Sequence, residues 1–336
     1  MPEPFVVAPR HAPPSTGATS PPVVDETLRH PALAPLAEYL ADPAVTDLFV
    51  NGCEGLFVDR GRGAERQTGW RTTEHDVREL ATALIAAGGR HIDDAHPCVD
   101  VRLPGGLRVH AVLPPVALGG TVISVRVARA AVLDLDGLEQ RGMVDRAQRA
   151  RLETLVADRA NLLITGAAGC GKTTLLAALL DRVPIVERIV TIEDVAELRL
   201  RHPHHVRLEA RQANLEGAGA IGLARLVREA LRMRPDRLVI GECRGEEVRE
   251  LLSALNTGHD GGAGTLHANS LADVPARLEA LGALAGLDDG ALARQVASAI
   301  DAIVHIERSG GRRAVAGIGV PVVRGGRLAV EEQPCG

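Results

Sequence analysis

One segment, Gly166-Ala-Ala-Gly-Cys-Gly-Lys172-Thr173, constrains this chain more than any other. It fits GxxxxGK[ST], follows the apolar stretch Asn161 to Thr165 and opens a helical pattern, the context that a phosphate-binding loop requires. Glycines let backbone N–H groups curl round phosphates, and the helix N-terminus adds partial positive charge. Gly166, Ala167, Ala168, Gly169, Cys170, Gly171, Lys172, Thr173 and Thr174 are therefore the expected cradle for a nucleotide, with ATP and Mg²⁺ as the implied ligands. Lys172 would reach the β and γ phosphates, and the Thr173 hydroxyl would hold the metal. Composition strengthens this: of 38 basic residues 37 are Arg, and Lys172 is the single Lys. A planar guanidinium replaces a surface ammonium readily, but not a compact ammonium packed against phosphates.

From the loop onward the pattern alternates strand and helix, which predicts a parallel sheet with crossovers. Strands are expected at Asn161 to Thr165, Arg188 to Ile192, His205 to Glu209, Arg237 to Gly241 and Gly264 to His267, with helices at 171–182, 221–233, 245–257 and 271–284. Ala302 to Glu307, Ala314 to Ile318 and Leu328 to Glu331 read as a short antiparallel finish. Before the loop, Asp47 to Gly52 and Leu56 to Arg60 read as a strand pair, followed by a helix at 74–88 and three more strands between Val99 and Val127. The expected division is a flexible tail (1–24), an α+β domain (25–135), a helical connector (136–158) and an α/β domain (159–336).

A length of 336 residues itself favours two domains. Five dispersed cysteines with no CxxC pair give neither a disulfide framework nor a structural zinc. No run approaches a membrane span, so an intracellular protein without a transmembrane segment is expected. The net charge of -5 and the absence of any aromatic after Trp70 argue against direct contact with nucleic acid.

Three further blocks carry chemistry. Leu238-Val-Ile-Gly-Glu242 is an apolar strand ending in an acid, about seventy residues after the loop, where a carboxylate can bind Mg²⁺ directly or through water. Thr191-Ile-Glu193-Asp194 ends another strand; both acids would face the γ-phosphate or, alternatively, cap the following loop. Glu193 is the candidate to orient or deprotonate the attacking water. Gly258 to His267 joins a Gly-rich stretch to a strand ending in His267, placed to sense the γ-phosphate; His259 is a weaker candidate.

These blocks, in this order, resemble the secretion ATPase superfamily of type II and type IV secretion and pilus systems, in particular its CpaF/TadA-like branch. The resemblance rests on Glu187 to Leu198, Leu231 to Gly245, Asn256 to Asp260 and Leu266 to Ser270, and extends to Val99 to Val109 and Ile123 to Arg126. It implies a RecA-like P-loop NTPase domain preceded by a small α+β domain, a homo-oligomer built as a hexameric ring, and arginines that complete the ATP site. Arg108 and Arg126 match the N-terminal pattern, and Arg232 and Arg234 the block before the Glu242 strand. It further implies a motor working on an inner-membrane platform protein in pilus assembly, secretion or conjugal transfer, at the cytoplasmic face of the membrane. Gly262-Ala-Gly-Thr265 departs from the family's Ser-Leu-Thr-Thr, which implies a looser sensor loop and slow hydrolysis. Two other readings stay open: a nucleic-acid translocase on the same core, and an ATP-gated assembly factor with little turnover.

Overall fold

The computed structural model describes residues 30–103, 106–127, 133–211, 219–309 and 312–333. The expected tail at 1–24 lies outside them. The chain divides into two compact units, Met1–Arg129 and Ala130–Gly336.

In the first unit a 3₁₀ turn at Pro31–Leu36 runs into the short helix α1 (Ala37–Ala41). Strands β1 (Asp47–Asn51), β2 (Leu56–Asp59) and β3 (Ala64–Arg66) precede α2 (Glu74–Ala87), and β4 (Cys98–Leu103), β5 (Leu107–Val112) and β6 (Val122–Val127) follow. They form one sheet in the order β3-β2-β1-β6-β5-β4. Side chains alternate faces with period two, so Leu48, Val50, Val99, Val101, Val109, Ile123 and Val125 form one buried face. Helix α2 covers it with Val77, Leu80, Ala81, Leu84 and Ile85, and starts at a capping box between Thr73 and Asp76. The other face carries one charged row across five strands, in which Asp59, Asp47, Arg126, Arg108 and Arg102 stand side by side.

The second unit begins with α3 (Leu135–Gln140) and α4 (Arg146–Ala157), then alternates β7 (Leu162–Gly166), α5 (Lys172–Leu180), β8 (Ile189–Glu193), β9 (His205–Glu209), α6 (Leu223–Leu231), β10 (Arg237–Ile240), α7 (Glu247–Leu255), β11 (Ala263–Leu266), α8 (Val274–Leu284) and α9 (Asp289–Ala299). Strands β12 (Ala302–Ser309), β13 (Arg312–Arg324) and β14 (Arg327–Gln333) close it. All eight strands share one sheet, ordered β14-β13-β12-β7-β11-β10-β8-β9. The stretch from β12 to β9 is parallel, and β13 and β14 add antiparallel. Leu163, Val190, Ile192, Leu238, Ile240 and Leu266 face α6 to α9. Leu162, Ile164, Ile189, Val239 and Ala263 face α3, α4 and α5. Helix α5 is buried nearly all round, as its run of Leu and Ala dictates, so the loop ahead of it stands on a fixed support.

Four features differ from the sequence-based expectations. Residues 136–158 are no connector: Leu138, Leu152 and Val156 belong to the second unit's core, and the segment breaks into two helices around Met143. The expected antiparallel finish is part of the main sheet, because β12 pairs in parallel with β7 as well as antiparallel with β13. Helix α9 lies where no element was expected, capped by Asp288 and burying Leu292, Ala293, Val296 and Ala299. Residues 263–266 form a wholly buried strand, with Gly264 packed against Leu251 and Gly262 against Leu255, so no slack loop exists there.

Candidate functional site

Sheet order determines which side chains meet. Along the carboxyl edge, β7, β11, β10 and β8 are consecutive neighbours, and they end respectively in the glycine-rich loop, in His267, in Gly241-Glu242 and in Glu193. Residues separated by up to about a hundred positions thus line up in the order Lys172, His267, Glu242, Glu193 at the end where open α/β sheets bind ligands.

Gly166 ends β7 with φ +147°, Gly169 has φ +70°, and Gly171 is the N-cap of α5 at φ +105°. Ala167, Ala168 and Gly169 form the exposed bend, Cys170 is fully buried, and Lys172, Thr173 and Thr174 are the first three residues of α5. The Lys172 ammonium donates to Gly166 O at 2.9 Å and Ala167 O at 3.0 Å, and lies 3.2 Å from His267 Nδ1. Burial lowers the Lys172 pKa, opposed by the nearby Glu242. An ammonium has only donors, so His267 Nδ1 accepts, and the neutral ring carries its proton on Nε2. Burial and then the charge of Lys172 hold the His267 pKa below its ordinary value, which keeps the ring neutral. Its Nε2 sits 2.6 Å from Glu242 Oε1, off the hydrogen-bond line, and that buried oxygen has no donor in line.

The other oxygen of Glu242 accepts from Arg244 Nη2 at 2.6 Å, and Arg244 Nη1 lies 3.9 Å from Asp194 Oδ2. Arg244 carries no sequence signal of its own beyond Glu242-Cys-Arg244, which places it on the same side of an extended segment as Glu242. The Glu247 carboxylate fixes that segment by accepting from Arg244 N at 2.5 Å and Gly245 N at 2.8 Å.

Glu193 is 3% exposed, and its Oε1 accepts from Glu197 N at 2.9 Å and Leu198 N at 3.0 Å. Half the carboxylate therefore caps the following loop, while Oε2 is buried without a donor. Burial raises its pKa, against those two backbone N–H groups. The side chain lies against Gly241, whose added Cβ would stand 2.5 Å from Glu193 Cγ. His259 is placed elsewhere, with its Nδ1 3.2 Å from Ala254 O at the end of α7.

The arginines separate into two groups. Arg108 Nε donates to Asp100 at 3.0 Å and Arg126 Nε to Asp47 at 3.2 Å, both on the charged face of the first unit. Arg232 pairs with Glu229 at 3.0 Å, and Arg234, at φ +52°, is exposed. Both precede β10, at the amino end of a strand whose carboxyl end bears Glu242, so the fold does not bring them to the loop of their own chain.

The geometry suits a bound nucleoside triphosphate: a helix N-terminus, left-handed glycines and an ammonium converge on one bend. For Mg²⁺ the chain offers the Thr173 hydroxyl and the Glu242 carboxylate, whose buried Oε1 accepts no hydrogen bond; among the described residues there is no cluster of three or more ligating side chains. A hard ion held by substrate phosphates, waters, one hydroxyl and one carboxylate needs no such cluster.

A parallel sheet with this loop on an inner strand, and with acid- and histidine-tipped neighbours, defines a P-loop NTPase with a RecA-like core behind a small α+β unit. The chain belongs to the type II/IV secretion system protein family, whose pattern matches residues 30–313. A putative conjugal transfer protein of Mycobacterium tuberculosis (strain H37Rv) is 50% identical over 292 residues, covering 85% of this chain and 83% of that protein. VirB11 of Rhizobium radiobacter is 30% identical over 311 residues, covering 84% and 90%. The solved structure of the Legionella pneumophila ATPase DotB shares the fold, with a TM-score of 0.57 at 20% identity over 90% of this chain and 81% of that one. This is therefore a chain of the secretion and conjugal transfer ATPase family.

Proposed function

We propose that the protein hydrolyses ATP and works as the motor of a secretion, Tad-type pilus or conjugal transfer machine. The observation that carries this reading is the line from Lys172 through His267 to Glu242, with spacings of 3.2 and 2.6 Å, beside the glycine-rich bend. Lys172 exchanges its carbonyl contacts for phosphate oxygens, and the backbone N–H groups from Ala167 to Thr174 cradle the chain of phosphates. His267 Nε2–H donates to the γ-phosphate and links its presence to Glu242. Glu193 Oε2, lacking a donor, accepts from the attacking water; Glu193 and Glu242 are neighbours at the sheet edge and divide the work between orienting water and the metal. Mg²⁺, when bound, spreads the charge developing on the phosphate oxygens, with Thr173 and Glu242 as the residues that would hold it.

Ring assembly, a homo-hexamer for the family, would supply the remaining arginines. Arg108 and Arg126 are the proposed contributors, and Arg232 and Arg234 would serve only a site on another chain. The motor would dock on an inner-membrane platform protein from the cytoplasmic side; among the described residues no helix is long and apolar enough to cross a membrane.

The test is steady-state ATPase activity of wild type, Lys172→Ala and Glu242→Gln, recorded beside light scattering in Mg·ATP. Turnover abolished in both variants, with a ring-sized wild-type particle, supports the motor. Nucleotide binding without turnover would replace it by the gated assembly factor, and turnover only with DNA by a translocase. The match to a conjugal transfer protein makes DNA the polymer to include.

A further inference from the structure

One arginine of the second unit borders the phosphate-binding bend of its own chain. A cavity of about 300 Å³ opens against the bend of the loop, lined by Ala167 and Ala168 on one side and by His267, Asn269, Asp273 and Arg277 on the other. Ala167 and Ala168 are the second and third residues of the loop, so this space adjoins the outer end of the phosphate cradle rather than the base of α5. The methyl side chains of the two alanines leave that end open.

Arg277 is the fourth residue of α8, one turn from its start. Val274, Leu278 and Leu281 bury the inner stripe of that helix, and Arg277 flanks the stripe on an exposed position beside the cavity. Its charge is felt at His267, whose pKa it helps to lower. A cation here sits at the positive end of the helix dipole, where the N-cap residue Asp273 is the acid at hand and the first turn of α8 itself adds none. The one carboxylate at helical i,i+4 distance, Asp273, is engaged by Ser270 instead, with Oγ to Oδ2 at 2.7 Å. Among the described residues Arg277 has neither an ion pair nor a hydrogen bond. Arg244, by contrast, is held by Glu242 at 2.6 Å. A guanidinium that breaks a local charge rule, has no internal partner and lines the end of a phosphate cradle matches an anion that arrives from outside.

We propose that Arg277 contacts the γ-phosphate of ATP bound in the same chain and stabilises the charge that develops on it as the β–γ bridge breaks. This rests on the ATPase reading above. It makes Arg277 a catalytic residue acting in cis, opposite Lys172 across the terminal phosphate, with His267 between them. A contact confined to the γ-phosphate also gives the chain its means of telling ATP from ADP.

The test measures affinity and turnover in full-length wild type, Arg277→Ala, Arg277→Lys and Lys172→Ala, with a fluorescent ADP and a non-hydrolysable fluorescent ATP analogue. Arg277→Ala is expected to weaken the ATP analogue about tenfold or more and to leave ADP within about twofold, with kcat reduced and the melting temperature unchanged. Arg277→Lys, which keeps the charge but not the bidentate fork, should fall between the two. Equal losses for ADP and the ATP analogue, or no loss for either, would overturn the assignment while leaving wild-type turnover, and hence the ATPase reading, intact. Wild type that binds nucleotide no better than Lys172→Ala would remove both.

Discussion

Replacing Gly166 with alanine tests how tightly the glycine-rich loop is built into the sheet, and Gly169→Ala in the same bend is its control. At Gly166 an added Cβ would overlap the carbonyl oxygen of Ile306 and stand 2.6 Å from Cys170 Sγ, with φ at +147°. Ile306 lies in β12, which is hydrogen-bonded to β7 on one side and β13 on the other, so its carbonyl has nowhere to move. At Gly169 the backbone is also left-handed, at φ +70°, but nothing lies within 4 Å of the added atom. Left-handed strain alone costs about 1–2 kcal/mol, which is the whole expected effect of Gly169→Ala. Gly166→Ala adds overpacking of about 1–3 kcal/mol to a strain of about 1–3 kcal/mol, so a loss near 4 kcal/mol is expected. At roughly 2–4 °C per kcal/mol for a unit of this size, calorimetry without nucleotide should show the second unit melting about 10 °C lower in Gly166→Ala and about 4 °C lower in Gly169→Ala. Equal shifts in the two variants would refute the claim that β12 backs the loop.

Three other outcomes follow from the same geometry. His267→Ala removes the link between Lys172 and Glu242, so kcat should fall about a hundredfold in a steady-state assay while ADP affinity measured by titration moves little. Glu187 accepts from the buried Arg237 at 2.6 Å and from Arg159 at 2.9 Å; Glu187→Ala strands a guanidinium that is 3% exposed, and denaturant unfolding should show a loss of about 3–5 kcal/mol. Burial, with Arg207 and His202 nearby, depresses the His205 pKa from 6.5 to about 4. Protonation then favours the unfolded chain between those values, so stability should drop as pH falls from 6.5 towards 4, and His205→Gln should flatten that slope in thermal melts.

Much of this site is legible in the sequence because each element carries its own local signal. The loop motif needs only its flanking strand and helix, and His205–Glu209 forms as the strand its alternation predicts. What the sequence does not show is position that depends on sheet direction or on neighbours. Arg232 and Arg234 lie close in sequence to Glu242, yet a four-residue strand separates them from the edge that bears it. Arg277 and Arg244 had no distinguishing mark among 37 arginines until the cavity and the Glu242 carboxylate gave them one. Strand β13 continues through Gly317, Gly319 and Pro321, which read as breakers; its pairing with β12 reaches only Gly319, so the missing N–H of Pro321 falls on an unpaired edge. Helix α9 is signalled by its Asp288 cap and the spacing of Leu292, Val296 and Ala299, a short pattern set between two stronger ones.

The solitary lysine turns the nucleotide cradle into a chemically addressable position. Acylating reagents attack unprotonated amines, and burial both lowers the Lys172 pKa and leaves that residue only 7% exposed. In a chain otherwise furnished with arginine, such a reagent meets one side-chain amine, Lys172 Nζ. The rate of its modification follows how often the ammonium leaves the Gly166 and Ala167 carbonyls, and a peptide map needs to monitor just one fragment to follow it.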